Sequence, residues 1–232
     1  VDLPAHWLPR PFSNPDDKTL AEFAALLADA VAQGPDKPIP YTLSAPKWQF
    51  LCYVAEQGGY VLHGSNDHAI ERFEPRRSYD SDAFGNRTAV YAASDGIWPM
   101  FYAILNRERP LSMVNSCSDI AGETFYYFSI SRPVLDLGPW QEGTIYLLSA
   151  KGFEHQPPIR GARQRQVAKL GPAEPVAKIR VRPEEFPFLN DVRGHDDAVV
   201  QARSAADPDG FPWADGRSGR LTTLGEDGLL PW

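Results

Sequence analysis

The chain has 232 residues with 30 acidic against 23 basic side chains, a formal charge of −7 that argues against a broad nucleic-acid-binding face, since such a face must neutralise many phosphates. Hydrophobic residues at 43% suffice for a conventional core, whereas 22 prolines and 18 glycines argue against a coiled coil or helical repeat. Cys52 and Cys117 form neither a disulfide framework nor a metal-type spacing, and the sequence shows no signal peptide and no apolar stretch long enough for a membrane, so a soluble, cytoplasmic protein is expected. The start at Val1 suits a processed product or one domain of a longer chain.

In chain order, residues 1–18 are Pro-rich and contain Trp7 and Phe12, which reads as an extended arm laid over a core. Thr19 and Glu22 have capping-box spacing, and Leu20, Phe23, Ala24, Leu27 and Val31 recur at helical intervals before Gly34. A second helix is expected from about Ser44–Pro46, with Trp48, Leu51, Cys52 and Ala55 on its apolar face and Gly58–Gly59 ending it. Strands are expected at Gly59–His63 and Thr88–Ala92, then a helix over Asp95–Leu105 with Ile97, Phe101 and Ile104 inward and Pro99 in its first turn. Thr124–Ile130, Gly143–Leu148 and Val176–Val181 read as further strands, and the tail from Asp207, with Trp213 and Trp232 as isolated anchors, as a wrapping extension. Helices followed by many short strands make an α+β order rather than alternating βαβ units. The expected division is 1–58 for the arm and helices, 59–190 for the core and 191–232 for the wrapping extension.

Chemistry concentrates at His63–Gly64–Ser65, where a histidine at a strand end is followed by a residue that lets a ligand approach the backbone and by a hydroxyl. Taken alone, the tripeptide also suits an ordinary turn. Tyr91 follows in the strand Ala89–Val90–Tyr91–Ala92, and the next helix brings Trp98, Phe101 and Tyr102. Together these resemble the ADP-ribosyltransferase superfamily of the diphtheria-toxin and PARP-like, His-Tyr-Glu type over roughly residues 59–182. That resemblance implies a split, mostly antiparallel sheet with an N-terminal helical layer, and NAD as the substrate. It also implies that His63 binds a ribose hydroxyl, that Gly64 and Ser65 hold the nicotinamide carboxamide, and that Tyr91 helps form the nicotinamide slot. Phe101 or Tyr102 would stack on the ring, with the other of the two in the core.

The family's third element is a glutamate on a later strand, where a preorganised negative charge meets the developing oxocarbenium ion. Two glutamates fit. Glu174 stands before the 176–181 strand and is preferred, although Pro175 departs from the family pattern; Glu154 follows the preceding strand. Arg76 or Arg77, in the interval between the motifs, suits the pyrophosphate, since a guanidinium binds two oxygens at once; an ordinary surface turn is the alternative. The acid-free run 159–169, with Arg160, Arg163, Arg165 and Lys169, reads more simply as a solvated basic loop than as a site. His63, Asp67 and His68 do not have the spacing of a metal set, and no Rossmann or hydrolase motif occurs.

The leading expectation is therefore an NAD-dependent ADP-ribosyltransferase that releases nicotinamide, with a protein, a nucleic acid or a small molecule as acceptor. Rival expectations are a catalytically silent module of the same fold that binds a nucleotide or a protein, an NAD glycohydrolase, and an RNA 2′-phosphotransferase-like enzyme.

Overall fold

The computed structural model describes residues 6–78, 80, 82–108 and 112–206. The expected anchors Trp213 and Trp232 lie outside these residues. Strand β1 (Leu8–Pro9) is a short edge strand on β6, and the neighbouring Trp7 is buried against Tyr127, so the arm does lie on a core. Phe12 takes no part in that anchoring, being 91% exposed.

Helix α1 (Asp17–Gln33) starts two residues before the expected capping box. Asp16 is the cap, its carboxylate accepting from Thr19 N–H at 2.8 Å, which leaves Glu22 to pair with Lys18 one turn back at 3.7 Å. Gly34 ends the helix with φ +77, as its position suggested. Helix α2 (Lys47–Glu56) follows Pro46 and buries Trp48, Phe50, Leu51, Cys52, Val54 and Ala55.

The remaining elements are β2 (Tyr60–Ser65), β3 (Arg76–Arg77), β4 (Thr88–Ala93), α3 (Trp98–Ile104), β5 (Met113–Ile120), β6 (Glu123–Ser131), α4 (Arg132–Leu135), β7 (Gly143–Ser149), β8 (Glu154–His155), β9 (Arg163–Gln164), β10 (Gln166–Lys169), β11 (Pro175–Val181), β12 (Arg193–His195) and α5 (Asp197–Ala206). They form two sheets. The larger runs β11-β7-β2-β4-β10-β8, with β3 on β4, and its pairings are antiparallel. The smaller runs β1-β6-β5-β9, and β12 adds to β6 in parallel. The tail segment from 191 thus extends a sheet before entering α5.

The main core lies where α1, α2 and α3 meet one face of each sheet. It gathers Phe23, Phe50, Ile97, Phe101, Tyr126, Phe128, Ile145, Leu147 and Ile179. The opposite face of the larger sheet buries Val61, Phe73, Val90, Tyr146 and Leu148 in a second cluster. Among the described residues no helix is long and apolar enough to cross a membrane.

Helix α3 spans two turns and begins three residues later than the pattern suggested, because Asp95 is used as its cap from outside. Asp95 Oδ1 accepts from Ile97 N–H at 2.8 Å and Trp98 N–H at 2.7 Å. The other oxygen, Oδ2, meets Arg10 Nη2 at 2.6 Å and the Tyr126 hydroxyl at 2.8 Å. Asp95 is fully buried, so removing its charge leaves Arg10 without its inner partner. Asp95→Asn is expected to lower the unfolding free energy in denaturant titration by about 3–5 kcal/mol, the usual cost of breaking a buried ion pair on one side. A loss below about 1 kcal/mol, as for an exposed pair, would count against that role.

Candidate functional site

β2 and β4 share a single backbone pairing, Leu62 with Ala93, and then diverge. β2 remains fully paired with β7 from Tyr60 to Ser65, and β4 with β10 from Val90 to Ala93. The larger sheet therefore opens along the C-terminal half of β2. A cleft of about 670 Å³ occupies the opening, lined by Leu62 to Ser65, by Ala89 to Ala93 and by Trp98, Pro99 and Tyr102 of α3. That volume is in the range of small-molecule sites.

His63 is inside β2, not at its end, since the strand continues through Gly64 and Ser65. Its side chain reaches across the gap, and Nδ1 bonds the Tyr91 carbonyl at 2.7 Å. A carbonyl only accepts, so Nδ1 carries the hydrogen and the neutral ring presents the Nε2 lone pair. Burial, with smaller contributions from Arg107 and Arg76, lowers the imidazole pKa to about 4, against the raising effect of the Tyr91 bond. Phe73 packs against the ring at 4.6 Å between centroids.

Gly64 has a packing reason to be glycine. A β-carbon built there would stand 1.9 Å from the Pro99 carbonyl oxygen, so α3 is able to lie directly on β2. That approach brings Trp98 and Tyr102 to the cleft. Ser65 is buried, and its Oγ accepts from Asp67 N–H at 3.1 Å. Tyr91 lines the cleft with its ring, while its hydroxyl accepts from Arg87 N–H and lies within hydrogen-bond distance of the Phe84 and Arg87 carbonyls. The hydroxyl thus anchors the turn before β4.

Of the two aromatic candidates on α3, Tyr102 lines the cleft. Phe101 does not: it is fully buried in the main core between Phe128 and Phe186, because successive helical positions point in different directions. Burial, then the charge of Asp80, pushes the Tyr102 phenol up to about 12.

Arg76 and Arg77 both line the cleft from β3, as does Arg107 beyond α3, and none of the three makes an ion pair among the described residues. Arg72 is engaged by Glu74 at 2.7 Å and lies 3.9 Å from Glu174.

The two candidate glutamates are not brought to the cleft wall. Glu174 is an exposed side chain, one residue past the Phe73–Ala173 bridge, and lies 3.9 Å from Arg72, which does line the cleft. Glu154 lies on the edge strand β8, exposed and 3.3 Å from Arg87. Residues that sequence reasoning passed over line the cleft instead: Asp80, Phe73, Arg107 and Gln166. Gln166 pairs with Ala93 and so shares a sheet face with Ala93, Tyr91 and Leu62. It sits inside the basic run, whose charges masked it. The run is a solvated loop only in its first part, where Arg160 and Arg163 are exposed; Arg165 pairs with Asp119 of β5 at 2.9 Å and Gln166–Lys169 forms β10. Arg160, Arg163, Arg165 and Lys169 do not line the cleft.

Comparisons with protein-family models, with curated proteins and with solved structures gave no match.

The depressed His63 pKa makes stability depend on pH with a defined sign. An unfolded histidine takes up its proton near 6.5, but His63 in the fold does so only near 4. Its contribution is therefore complete above about pH 6.5 and is lost as pH falls from there towards 4, by roughly 3 kcal/mol at most. His6, whose pKa is also lowered to about 4 by burial and by Arg193, adds a slope of the same sign. Unfolding free energies from pH 7.5 to 4 should fall less steeply for His63→Gln than for the wild type, and equal slopes would contradict this assignment.

Proposed function

We propose that the cleft binds NAD and that the protein transfers ADP-ribose from NAD to an acceptor, with nicotinamide as leaving group. The observation that carries this reading is His63 held across the split by its Nδ1 bond to the Tyr91 carbonyl, in a cleft that Gly64 and Tyr102 also line. Nε2 suits a ribose hydroxyl, which donates to it. Tyr102 supplies a flat apolar face for the nicotinamide ring, and the backbone of Gly64 with the Ser65 hydroxyl reads its carboxamide. Arg76, Arg77 and Arg107 supply guanidinium groups that make no ion pair among the described residues, suited to the pyrophosphate.

As the glycosidic C–N bond breaks, nicotinamide leaves with the electron pair, the ribose becomes oxocarbenium-like, and the acceptor bonds to the anomeric carbon and gives up a proton. Negative charge is wanted at the ribose. Among the cleft-lining carboxylates, Asp80 is the one whose charge raises the pKa of both Tyr91 and Tyr102, so the role falls to Asp80, with the Gln166 amide orienting the ribose. A second depression of about 550 Å³ shares Ser65, Asp67 and Arg107 with the cleft. It is lined by polar and charged residues, and it offers the acceptor a route to the ribose.

A silent nucleotide-binding module is the second reading, favoured by one observation: Gln166, not a glutamate, occupies the face of β10 beside Tyr91 and Ala93, while Glu174 and Glu154 lie outside the cleft.

Free nicotinamide, followed with NAD in the presence and absence of cell extract, separates these readings. The transferase is expected to release nicotinamide when extract supplies the acceptor, and Asp80→Asn to lower that rate at least tenfold while NAD still raises the melting temperature. His63→Ala should lose most of that thermal protection. Release without extract would indicate a glycohydrolase, and protection without release the silent module. Neither release nor protection would remove the proposal.

A further inference from the structure

We infer that Asn115, a residue of the smaller sheet, sets the shape of the slot that selects the nicotinamide ring. The inference rests on the NAD reading of the cleft and adds a positioning residue to it.

Trp98 and Tyr102 stand one turn apart on α3, and their side chains end on the same atom. Trp98 Nε1 donates to Asn115 Oδ1 at 2.6 Å, and the Tyr102 hydroxyl donates to it at 2.7 Å. An indole N–H only donates, so the amide oxygen must face α3, which fixes the orientation of the Asn115 side chain. The two bonds use both lone pairs of Oδ1. Each bond also fixes the rotation of an aromatic ring that lines the cleft, and the rings are held 6.3 Å apart at 55° to one another.

Two consequences follow from this clamp. The polar ends of Trp98 and Tyr102 are committed to Asn115, so what they present to a ligand is ring surface. The slot therefore selects a flat ring by stacking and leaves polar recognition to β2. The clamp also comes from β5, which belongs to the other sheet, so the slot is braced from outside the split sheet that forms the rest of the cleft. A two-turn helix has few internal bonds to hold two large side chains, and Asn115 supplies that restraint.

Isothermal titration of the full chain with NAD, nicotinamide and ADP-ribose tests the inference, with Asn115→Leu and Asn115→Asp as variants. Leucine removes the acceptor, whereas aspartate keeps an oxygen able to accept both bonds. Asn115→Leu is expected to weaken NAD and nicotinamide by about tenfold, on the scale of a slightly misplaced positioning group, while ADP-ribose, which lacks the ring, binds as before. Asn115→Asp should restore most of the loss. In a Tyr102→Phe background, which keeps the ring and lacks its donor, the leucine effect should shrink, since residues sharing one interaction are not additive.

Unchanged NAD binding in folded Asn115→Leu would overturn the inference, and so would an equal loss for ADP-ribose, the sign of a general structural role. If the leucine variant does not fold, the Trp98→Phe/Tyr102→Phe double variant removes both donors and must show the same selective loss. A wild-type protein that binds neither NAD nor nicotinamide defeats the NAD reading itself, and that failure is visible before any variant is made.

Discussion

Asp95 has no exposed surface, yet its carboxylate holds three separate parts of the chain together. It caps α3, it receives Arg10 from the N-terminal arm, and it accepts the Tyr126 hydroxyl from the centre of β6. A buried carboxylate is tolerable only when its lone pairs are filled and its charge is met, and here each oxygen has two partners. Arg10 is itself bridged to Glu56 at the end of α2. The start of α3 is consequently fixed relative to α2, the arm and the smaller sheet. Since α3 carries Trp98 and Tyr102, the position of the cleft's aromatic wall follows from this one carboxylate.

Helix α3 is seated as well as tethered. Gly64 on β2 and Gly143 on β7 lie directly beneath it, and a β-carbon on either would meet a helix carbonyl, Pro99 O or Ala103 O, at 1.9 Å. The close approach places the helix on the strand that carries His63, just where β2 parts from β4. Gly64 thus has two uses that coincide: it admits the helix, and it exposes backbone at the cleft. The seating of α3 and the exposure of backbone at the cleft depend on the same missing side chain.

Much of this was legible in the sequence, and the limits were physical. The strands expected at 143–148 and 176–181 were readable from β-branched and aromatic content, the first buried on both faces and the second alternating buried with half-buried positions. His63 and Tyr91 were singled out as motif residues, but the bond between the His63 ring and the Tyr91 carbonyl was not foreseen. Neither was the cap of α3, because Asp95 acts on Ile97 and Trp98 from outside the periodic stretch and gains its meaning from Arg10, 85 positions away. Phe101 and Tyr102 were indistinguishable as adjacent aromatics until the helix orientation turned one to the core. Gln166 and Asp80 line the cleft from a charged strand and a polar loop, where no periodicity points to a site. Asp119, which pairs with Arg165 in the basic run, is distant in sequence, so Arg165 looked solvated when it was paired.

The central proposal is that the cleft holds a nicotinamide-bearing dinucleotide. A crystal structure of the protein with NAD tests that most directly. The nicotinamide ring is expected against Tyr102, with its carboxamide within hydrogen-bond distance of the Gly64 backbone and a ribose hydroxyl within reach of His63 Nε2. Density for NAD elsewhere, or a ring placed away from Tyr102 with His63 uncontacted, would contradict it.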